Sequence, residues 1–273
     1  MHAGVTDSFE YHAGENALLI SIPHDGRALP PDIADRMTER GRELPDTDWH
    51  VIRLYEFAKA LGASVIAAKM SRYLVDLNRS PADEALYDSR FVTGLCPEQT
   101  FAGDDIYLPG GTVGADEKDD RTAKFWRPYH DKIVSTLRDI KDRFGYALLW
   151  DAHSIPSNVP LLFDGELPQL NFGSNGGRNC GSDIINAVIA ETTAYGGFSS
   201  VLDGRFKGGY ITRHYGEPGN DVHAIQLELA QRSYMSEKSL QFDNKLASQL
   251  QQLLSKVLQA YLAGGASQYK GTE

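Results

Sequence analysis

The chain has 273 residues and a formal charge of −10, and hydrophobic residues make up 41% of it. A chain of this size can bury a full core without disulfides, and its acidic balance disfavours nucleic acid or an anionic membrane surface as the main partner. It contains two cysteines, Cys96 and Cys180, and its N-terminus lacks a basic region followed by an apolar run. We therefore expect a soluble cytoplasmic protein without a membrane span.

Short apolar runs alternate with helical patterns along the chain, which indicates an α/β architecture. The predicted strands are Ala17–Ile22, Ser64–Ala68, Ala147–Trp150, Ser199–Leu202 and Ala224–Leu229. The predicted amphipathic helices are Trp49–Leu61, Phe125–Phe144 and Leu240–Leu262. The segment Ser154–Gly181 is rich in Pro, Gly and Asn, and we predict a long functional or lid-like loop there. Because no repeat or linker divides the chain, we predict one domain over residues 1–273.

Two histidines come directly after predicted strands, His24 after ALLISIP and His153 after ALLWDA. The carboxyl ends of strands are where α/β sheets bind ligands, so both imidazoles are expected to face one crevice. Neutral imidazole is the commonest metal ligand in proteins. Each residue taken alone could be an ordinary loop histidine. Their matching positions, with carboxylates beside both, favour a metal site.

A catalytic zinc usually has three protein ligands and one open position. From the segment LPDTDWHV we choose Asp48 as the third ligand, with Asp46 and His50 as alternatives and Asp25 as a weaker candidate. The competing interpretation is that Asp48 caps the helix that follows it. Two imidazoles and a carboxylate suit Zn²⁺, but they also suit cobalt, manganese or iron.

A carboxylate interrupts the apolar run AIQLELA at Glu228. Strand alternation places it on the same face as Gln226. Burial of a carboxylate is costly unless it is functional, and burial raises its pKa toward the range of a general base. We predict that Glu228 takes a proton from the attacking water and returns it to the departing amine. The alternative is an edge strand whose polar face meets solvent.

Arginines are the third group of candidates. Arg72 and Arg79 lie in SRYLVDLNRSP, where Asn78 precedes Arg79, and Arg213 lies in GGYITRHYGEPG. A guanidinium binds a carboxylate with two parallel hydrogen bonds. We therefore predict that these four residues bind an anionic substrate. The alternative for Arg72 or Arg79 is an ion pair with Asp76 or with a surface acid.

Six segments in this order make the chain resemble the N-formylglutamate deformylase family: SIPHDGRALP, LPDTDWHV, SRYLVDLNRSP, LPGGTVG, WDAHSIPS and GGYITRHYGEPGNDVHAIQLELAQRSYM. They run from about Ser21 to Met235. The resemblance implies a metal-dependent amidohydrolase that converts a small anionic N-acyl amino acid, N-formyl-L-glutamate, to formate and L-glutamate in bacterial histidine degradation. The alternatives are a zinc deacylase for another N-acyl amino acid, or a non-catalytic amino-acid-binding protein on the same fold.

A more distant likeness links the chain to zinc carboxypeptidases and to the succinylglutamate desuccinylase and aspartoacylase group. It implies a central mixed β-sheet flanked by helices, a phosphorylase/hydrolase-like fold. The later zinc histidine of those enzymes stands in an Asp-x-His-Ser context, which Asp151–Ser154 matches. Their Asn-Arg pair, which holds the substrate carboxylate, is similar to Asn78–Arg79, and their catalytic glutamate is similar to Glu228.

One departure from that distant pattern concerns the first histidine. Those enzymes carry a His-x-x-Glu pair, but Arg27 stands three residues after His24 in this chain. A carboxylate ligand must then come from another segment. This is the reason for choosing Asp48.

Overall fold

The computed structural model describes residues 8–84 and 93–270. Seven strands form one sheet, and two short strands form a separate hairpin. The sheet consists of β1 (Phe9–His12), β2 (Leu18–Ile22), β3 (Ser64–Ala68), β4 (Ala147–Ile155), β5 (Leu170–Gly173), β6 (Ser200–Leu202) and β7 (Val222–Ala230), and the hairpin of β8 (Met235–Ser236) and β9 (Gln241–Phe242).

The sheet has the order β1-β3-β2-β4-β7-β5-β6. Strands β3, β2, β4 and β7 are parallel and buried along their length, whereas β1 and β5 run antiparallel to their inner neighbours. Such buried parallel strands need apolar side chains on both faces, which explains the runs of Leu, Ile, Val and Ala. The prediction of a mixed central sheet is confirmed.

Helices cover both faces of this sheet. They are α1 (Pro31–Ala34), α2 (Glu39–Arg42), α3 (Val51–Leu54), α4 (Phe57–Ala60), α5 (Ala115–Arg121), α6 (Arg127–Phe144), α7 (Ser182–Tyr195), α8 (Tyr210–Tyr215) and α9 (Asn244–Tyr269). On one face, the hydroxyls of Ser21 and Tyr129 of α6 lie 3.0 Å apart. On the other face, the indole of Trp150 packs 5.6 Å from the ring of Tyr261 of α9. No described helix combines the length and the hydropathy of a membrane span.

The register of the central strands decides which polar side chains meet. His153 of β4 lies opposite Glu228 of β7, and Asp151 lies opposite Gln226. Asp151 is also opposite Ser21, which faces α6. Because side chains alternate along a strand, all these polar groups share the α6 side of the sheet near its carboxyl edge.

The predicted helix Trp49–Leu61 is wrong as a single helix, because the structure contains the two short helices α3 and α4 instead. His50 adopts a left-handed backbone conformation, with φ of 66°. The amide of Ile52 in α3 donates to the carboxylate of Asp25 at 2.7 Å. Asp25 therefore caps this helix, and the capping alternative for Asp48 is wrong.

Other boundaries also differ from those predicted. Strand β4 continues to Ile155, so His153 lies within the strand rather than after it. Strand β6 lies at the sheet edge and is partly exposed. Strands β1 and β5 and helix α7 were not predicted, and β5 lies inside the predicted loop Ser154–Gly181. The last helix begins at Asn244 and extends to Tyr269.

Candidate active site

The predicted site residues converge at the carboxyl edge of the parallel strands. His24 follows β2, the segment from Arg72 to Arg79 follows β3, and His153 and Glu228 lie near the ends of β4 and β7. One cavity is lined by seven of the eight residues predicted for the site: His24, Asp48, Arg72, Asn78, Arg79, His153 and Glu228. Five separate segments thus contribute to one crevice, as expected for ligand binding in an α/β sheet.

Three buried side chains in this cavity form a group able to hold a metal ion. His24, Asp48 and His153 each offer one ligand atom, and these atoms lie within 4.8 Å of one another. The Oδ2 of Asp48 is 3.1 Å from Nδ1 of His153 and 3.7 Å from Nδ1 of His24. Two imidazole nitrogens and a carboxylate oxygen are ligand types of catalytic zinc sites, so this donor set fits a zinc ion.

A second carboxylate orients His24. The Nε2 of His24 lies 2.8 Å from Oδ1 of Asp76, and Arg72 donates to the other oxygen of Asp76 at 2.6 Å. Burial disfavours an ionised Asp76, but the Arg72 guanidinium and His24 hold its pKa well below the usual range. Because an ionised carboxylate only accepts, Nε2 carries the proton toward Asp76, which leaves the lone pair of Nδ1 available to a cation between His24 and Asp48.

His153 has a similar partner on its far side. Its Nε2 is 3.0 Å from Oδ1 of Asp151, whose other oxygen accepts from Thr212 at 3.2 Å. Burial disfavours the imidazolium, yet Asp151 and Asp48 together raise the pKa of His153 well above its usual value. The two carboxylates therefore favour a cation between Nδ1 of His153 and Asp48. Carboxylates behind metal-binding histidines fix the tautomer and strengthen the ligand.

The alternatives to Asp48 face elsewhere. Asp46 accepts the backbone amide of Phe101 at 2.9 Å, and Nε2 of His50 lies 2.8 Å from the carbonyl oxygen of Leu240. Asp25 caps α3, as described above. Among the described residues, Asp48 is the carboxylate that groups with both cavity histidines.

Glu228 lies on an internal strand, between β4 and β5, so the alternative of a solvent-facing edge strand is wrong. Its side chain lines the cavity beside Gln226, and only 8% of the residue is exposed. Burial raises the pKa of Glu228 to about 8. A carboxyl group with such a pKa can both accept and return a proton near neutral pH.

Two of the predicted substrate-binding residues support other site residues. Arg72 is buried and pairs with Asp76, which was the alternative stated for it. The Oδ1 of Asn78 accepts the amide of Ile211 at 2.8 Å, so its Nδ2 faces Nε2 of His153 at 3.0 Å and Oδ2 of Asp151 at 3.4 Å. A side chain at Gly209 has no room, because a Cβ there would lie 2.3 Å from Nδ2 of Asn78.

The remaining arginines differ in where they lie. Arg79 is half-buried and lines the cavity, with its Nε donating to the carbonyl oxygen of Thr93 at 2.9 Å. Arg213 is not among the described residues that line the cavity, and its Nε donates to Gly208 O at 2.8 Å. Arg205 lines the cavity but was not predicted. Its segment, DGRFKGGY, contains glycines and charges but no motif that singles it out.

Comparison with known proteins identifies the family of this chain. The family model for N-formylglutamate amidohydrolase matches residues 16–235. The chain belongs to the N-formylglutamate amidohydrolase family. It is 46% identical over 264 residues to the N-formylglutamate deformylase of Pseudomonas putida, covering 95% of this chain and 97% of that protein. It is 47% identical over 260 residues to the deformylase of Pseudomonas aeruginosa, with the same coverage.

Solved structures show that the family fold is shared. The crystal structure of N-formylglutamate amidohydrolase from Ralstonia eutropha JMP134 superposes with a TM-score of 0.78 at 23% identity, covering 93% of this chain and 97% of that one. A gene product from Agrobacterium tumefaciens superposes with a TM-score of 0.68 at 15% identity, covering 93% and 94%. The family match spans every residue predicted for the site, and the chain is a hydrolase acting on an amide bond.

Proposed function

We propose that this amidohydrolase cleaves the formamide bond of N-formyl-L-glutamate, giving formate and L-glutamate, at a zinc site formed by His24, Asp48 and His153. The observation that carries the proposal is the convergence of these three donors with Glu228 in one cavity. The substrate is that named for the two Pseudomonas relatives.

The chemistry divides between the metal and Glu228. A zinc ion bound there would lower the pKa of a water molecule and polarise the formyl oxygen. Glu228 accepts the proton as the water oxygen attacks the formyl carbon, and then delivers it to the departing nitrogen, so that glutamate leaves as an amine. Asp76 and Asp151 lie 2.8 Å and 3.0 Å from Nε2 of His24 and of His153, and they orient the two rings so that Nδ1 of each faces Asp48 and a metal bound there.

Recognition of the two glutamate carboxylates is the second part of the proposal. Arg79 and Arg205 are the cavity arginines that are half-buried, so they remain open to a ligand from the solvent side. We place the carboxylate contacts on these two, with Asn78 and Arg72 holding the metal-side residues in position. A direct contact from Arg72 or Arg213 stays a prediction. An apolar wall that includes Phe101 and Phe206 suits the methylene groups of the substrate.

The proposed setting of the reaction is the cytoplasm, within histidine degradation. This follows the family resemblance, and two buried free thiols, Cys96 and Cys180, support a reducing compartment. The donor set also suits other divalent transition metals, and zinc is proposed because its catalytic sites combine these ligand types.

The test is a formate-release assay on the chelator-treated chain, before and after zinc is restored. N-formyl-L-glutamate is expected to be hydrolysed only with metal, and much faster than N-formyl-L-glutamine, which lacks one carboxylate. Parallel assays of amide cleavage with N-acetyl- and N-succinyl-L-glutamate distinguish a deformylase from a deacylase for another N-acyl amino acid. Full turnover after complete removal of metal would contradict the metal assignment, and a faster rate on an acetyl or succinyl substrate would contradict the substrate.

A further inference from the structure

The loop that carries Asp48 has an unusual backbone. It connects α2 to α3 without regular structure, and Leu44 and His50 near its ends both have positive φ, of 53° and 66°. Residues other than glycine adopt this conformation at a cost, so the surrounding contacts must maintain it. The position of Asp48 therefore depends on what holds its loop.

Two side chains hold the main chain on either side of Asp48. The amide of Gln231 donates to the carbonyl oxygen of Thr47 at 3.0 Å. The hydroxyl of Tyr234 donates to the carbonyl oxygen of Trp49 at 2.7 Å. Both side chains are almost fully buried, at 1% and 0% exposure. Carbonyl oxygens immediately before and after the carboxylate ligand are thus fixed by one short segment.

The segment that contains Gln231 and Tyr234 also contacts β4, the strand that carries His153, through Ser154. The Oγ of Ser154 lies 2.7 Å from the Tyr234 hydroxyl and 3.4 Å from the amide nitrogen of Gln231. Since a carbonyl oxygen can only accept, Tyr234 donates its single phenol proton to the carbonyl oxygen of Trp49. The hydroxyl of Ser154 then donates to the oxygen of Tyr234. The backbone amide of Ser154 donates to Oδ2 of Asp48 at 3.1 Å. Every hydrogen in this network has a partner.

We infer that Gln231 and Tyr234 are positioning residues for the metal ligand Asp48, which they hold at the distance that His24 and His153 require. Gln231 directly follows β7, the strand that carries Glu228, and Tyr234 comes three residues later. The network therefore ties the carboxylate ligand to the strand of the proposed general base. This inference rests on the proposed metal site, and it concerns how strongly the folded chain retains its metal.

The experiment measures zinc affinity by competition with a chelator on the purified, folded chain. Tyr234→Phe removes one oxygen atom and is expected to weaken zinc binding about 10–100-fold, as loss of an outer partner of a ligand typically does. Gln231→Met, which keeps the volume but loses the amide, is expected to act in the same direction. Because the ligands themselves remain, saturating zinc is expected to restore most of kcat.

The matched control is Tyr261→Phe. Tyr261 is also fully buried, and its hydroxyl lies 2.9 Å from the carbonyl oxygen of His223 and 3.2 Å from that of Leu149, away from the Asp48 loop. This variant is expected to lower the melting temperature as Tyr234→Phe does, but to leave zinc affinity within about twofold of the wild type.

Three results would overturn the inference. Unchanged zinc affinity in both Tyr234→Phe and Gln231→Met would show that the network does not position Asp48. Equal loss in Tyr261→Phe would show a general effect of stability. A wild-type chain that binds no zinc would remove this inference together with the proposed metal site, whereas normal wild-type binding with unaffected variants would remove this inference alone.

Discussion

The two sides of the cavity are built differently. On the metal side, His24, Asp48 and His153 are at most 3% exposed, and each has a further hydrogen-bond partner: Asp76 for His24, the amide of Ser154 for Asp48 and Asn78 for His153. On the recognition side, Arg79 and Arg205 are half-buried on loops, and they donate hydrogen bonds to the carbonyl oxygens of Thr93 and Leu162. The metal donors are thus buried and held by hydrogen bonds from several elements, whereas the arginines proposed for substrate recognition lie on more exposed loops.

This difference leads to separable effects. Changes on the metal side are expected to alter metal affinity or kcat. Changes on the recognition side are expected to alter KM and substrate preference, because a half-exposed guanidinium binds the ligand without holding the reacting groups.

The largest effect is expected for Glu228→Gln. The amide keeps the shape of the side chain but cannot accept the proton, so kcat is expected to fall about 10²–10⁴-fold while zinc stoichiometry stays unchanged. Steady-state kinetics and metal analysis on the same preparation check this. Unchanged turnover would remove Glu228 from the mechanism, and loss of zinc would place it among the ligands instead.

The next effect concerns the carboxylate behind His24. Asp76→Asn removes the charge that holds the Nε2 proton, so zinc affinity is expected to fall about 10–100-fold with little change in KM. Asp46→Asn is the control, because Asp46 lies close by but accepts from Phe101 rather than from a ligand. Chelator competition measures both. Equal zinc affinity in the two variants would contradict the role of Asp76 as the carboxylate that orients His24.

A smaller effect is expected for Arg205→Ala on the recognition side. Loss of one charge-assisted hydrogen bond at a half-exposed position corresponds to roughly a tenfold rise in KM for N-formyl-L-glutamate. The rate at saturating substrate should change little, and N-formyl-L-glutamine should be affected less. Arg213→Ala is the matched comparison, since Arg213 does not line the cavity in the described structure. A larger effect at Arg213 would reverse the assignment.

The smallest expected effect is the dependence of kcat/KM on pH. Burial raises the pKa of Glu228 to about 8, and a nearby divalent cation lowers it again by attraction. Because the carboxylate is the active form of the base, kcat/KM is expected to fall as pH drops through that pKa, by at most about tenfold per pH unit. The residual activity of Glu228→Gln should lack this decline. Persistence of the same acid limb would assign it to another group.

Much of the metal side was predictable from sequence. His24 and Glu228 stand at the ends of apolar strands, and the topology of parallel strands brings such positions together. The sequence predicts Asp48 as a ligand because Arg27 stands where the distantly similar enzymes carry a glutamate. The roles of Asp76 and Asp151 were harder to predict from sequence. Each role depends on which ring nitrogen the carboxylate contacts, and sequence spacing does not encode that.

The recognition side and several elements were harder to predict. Arg205 follows a three-residue edge strand, and only the folded chain brings that segment to the cavity. Strand β5 has four residues within a polar segment and pairs with β7 by long-range contacts, so local periodicity does not reveal it. The helix predicted from Trp49 begins only at Val51, after the left-handed His50, and α3 ends just before Tyr55, whose hydroxyl accepts from the indole N–H of the buried Trp150.

The most direct test of the metal site is a zinc titration of three metal-stripped chains: wild type, His153→Ala and Glu228→Gln, each followed by the formate assay. We expect one zinc per chain in the wild type and in Glu228→Gln, with turnover restored only in the wild type. His153→Ala should bind zinc far more weakly and stay inactive. Wild-type affinity in His153→Ala, or full turnover of the stripped wild type, would contradict a catalytic metal held by His24, Asp48 and His153.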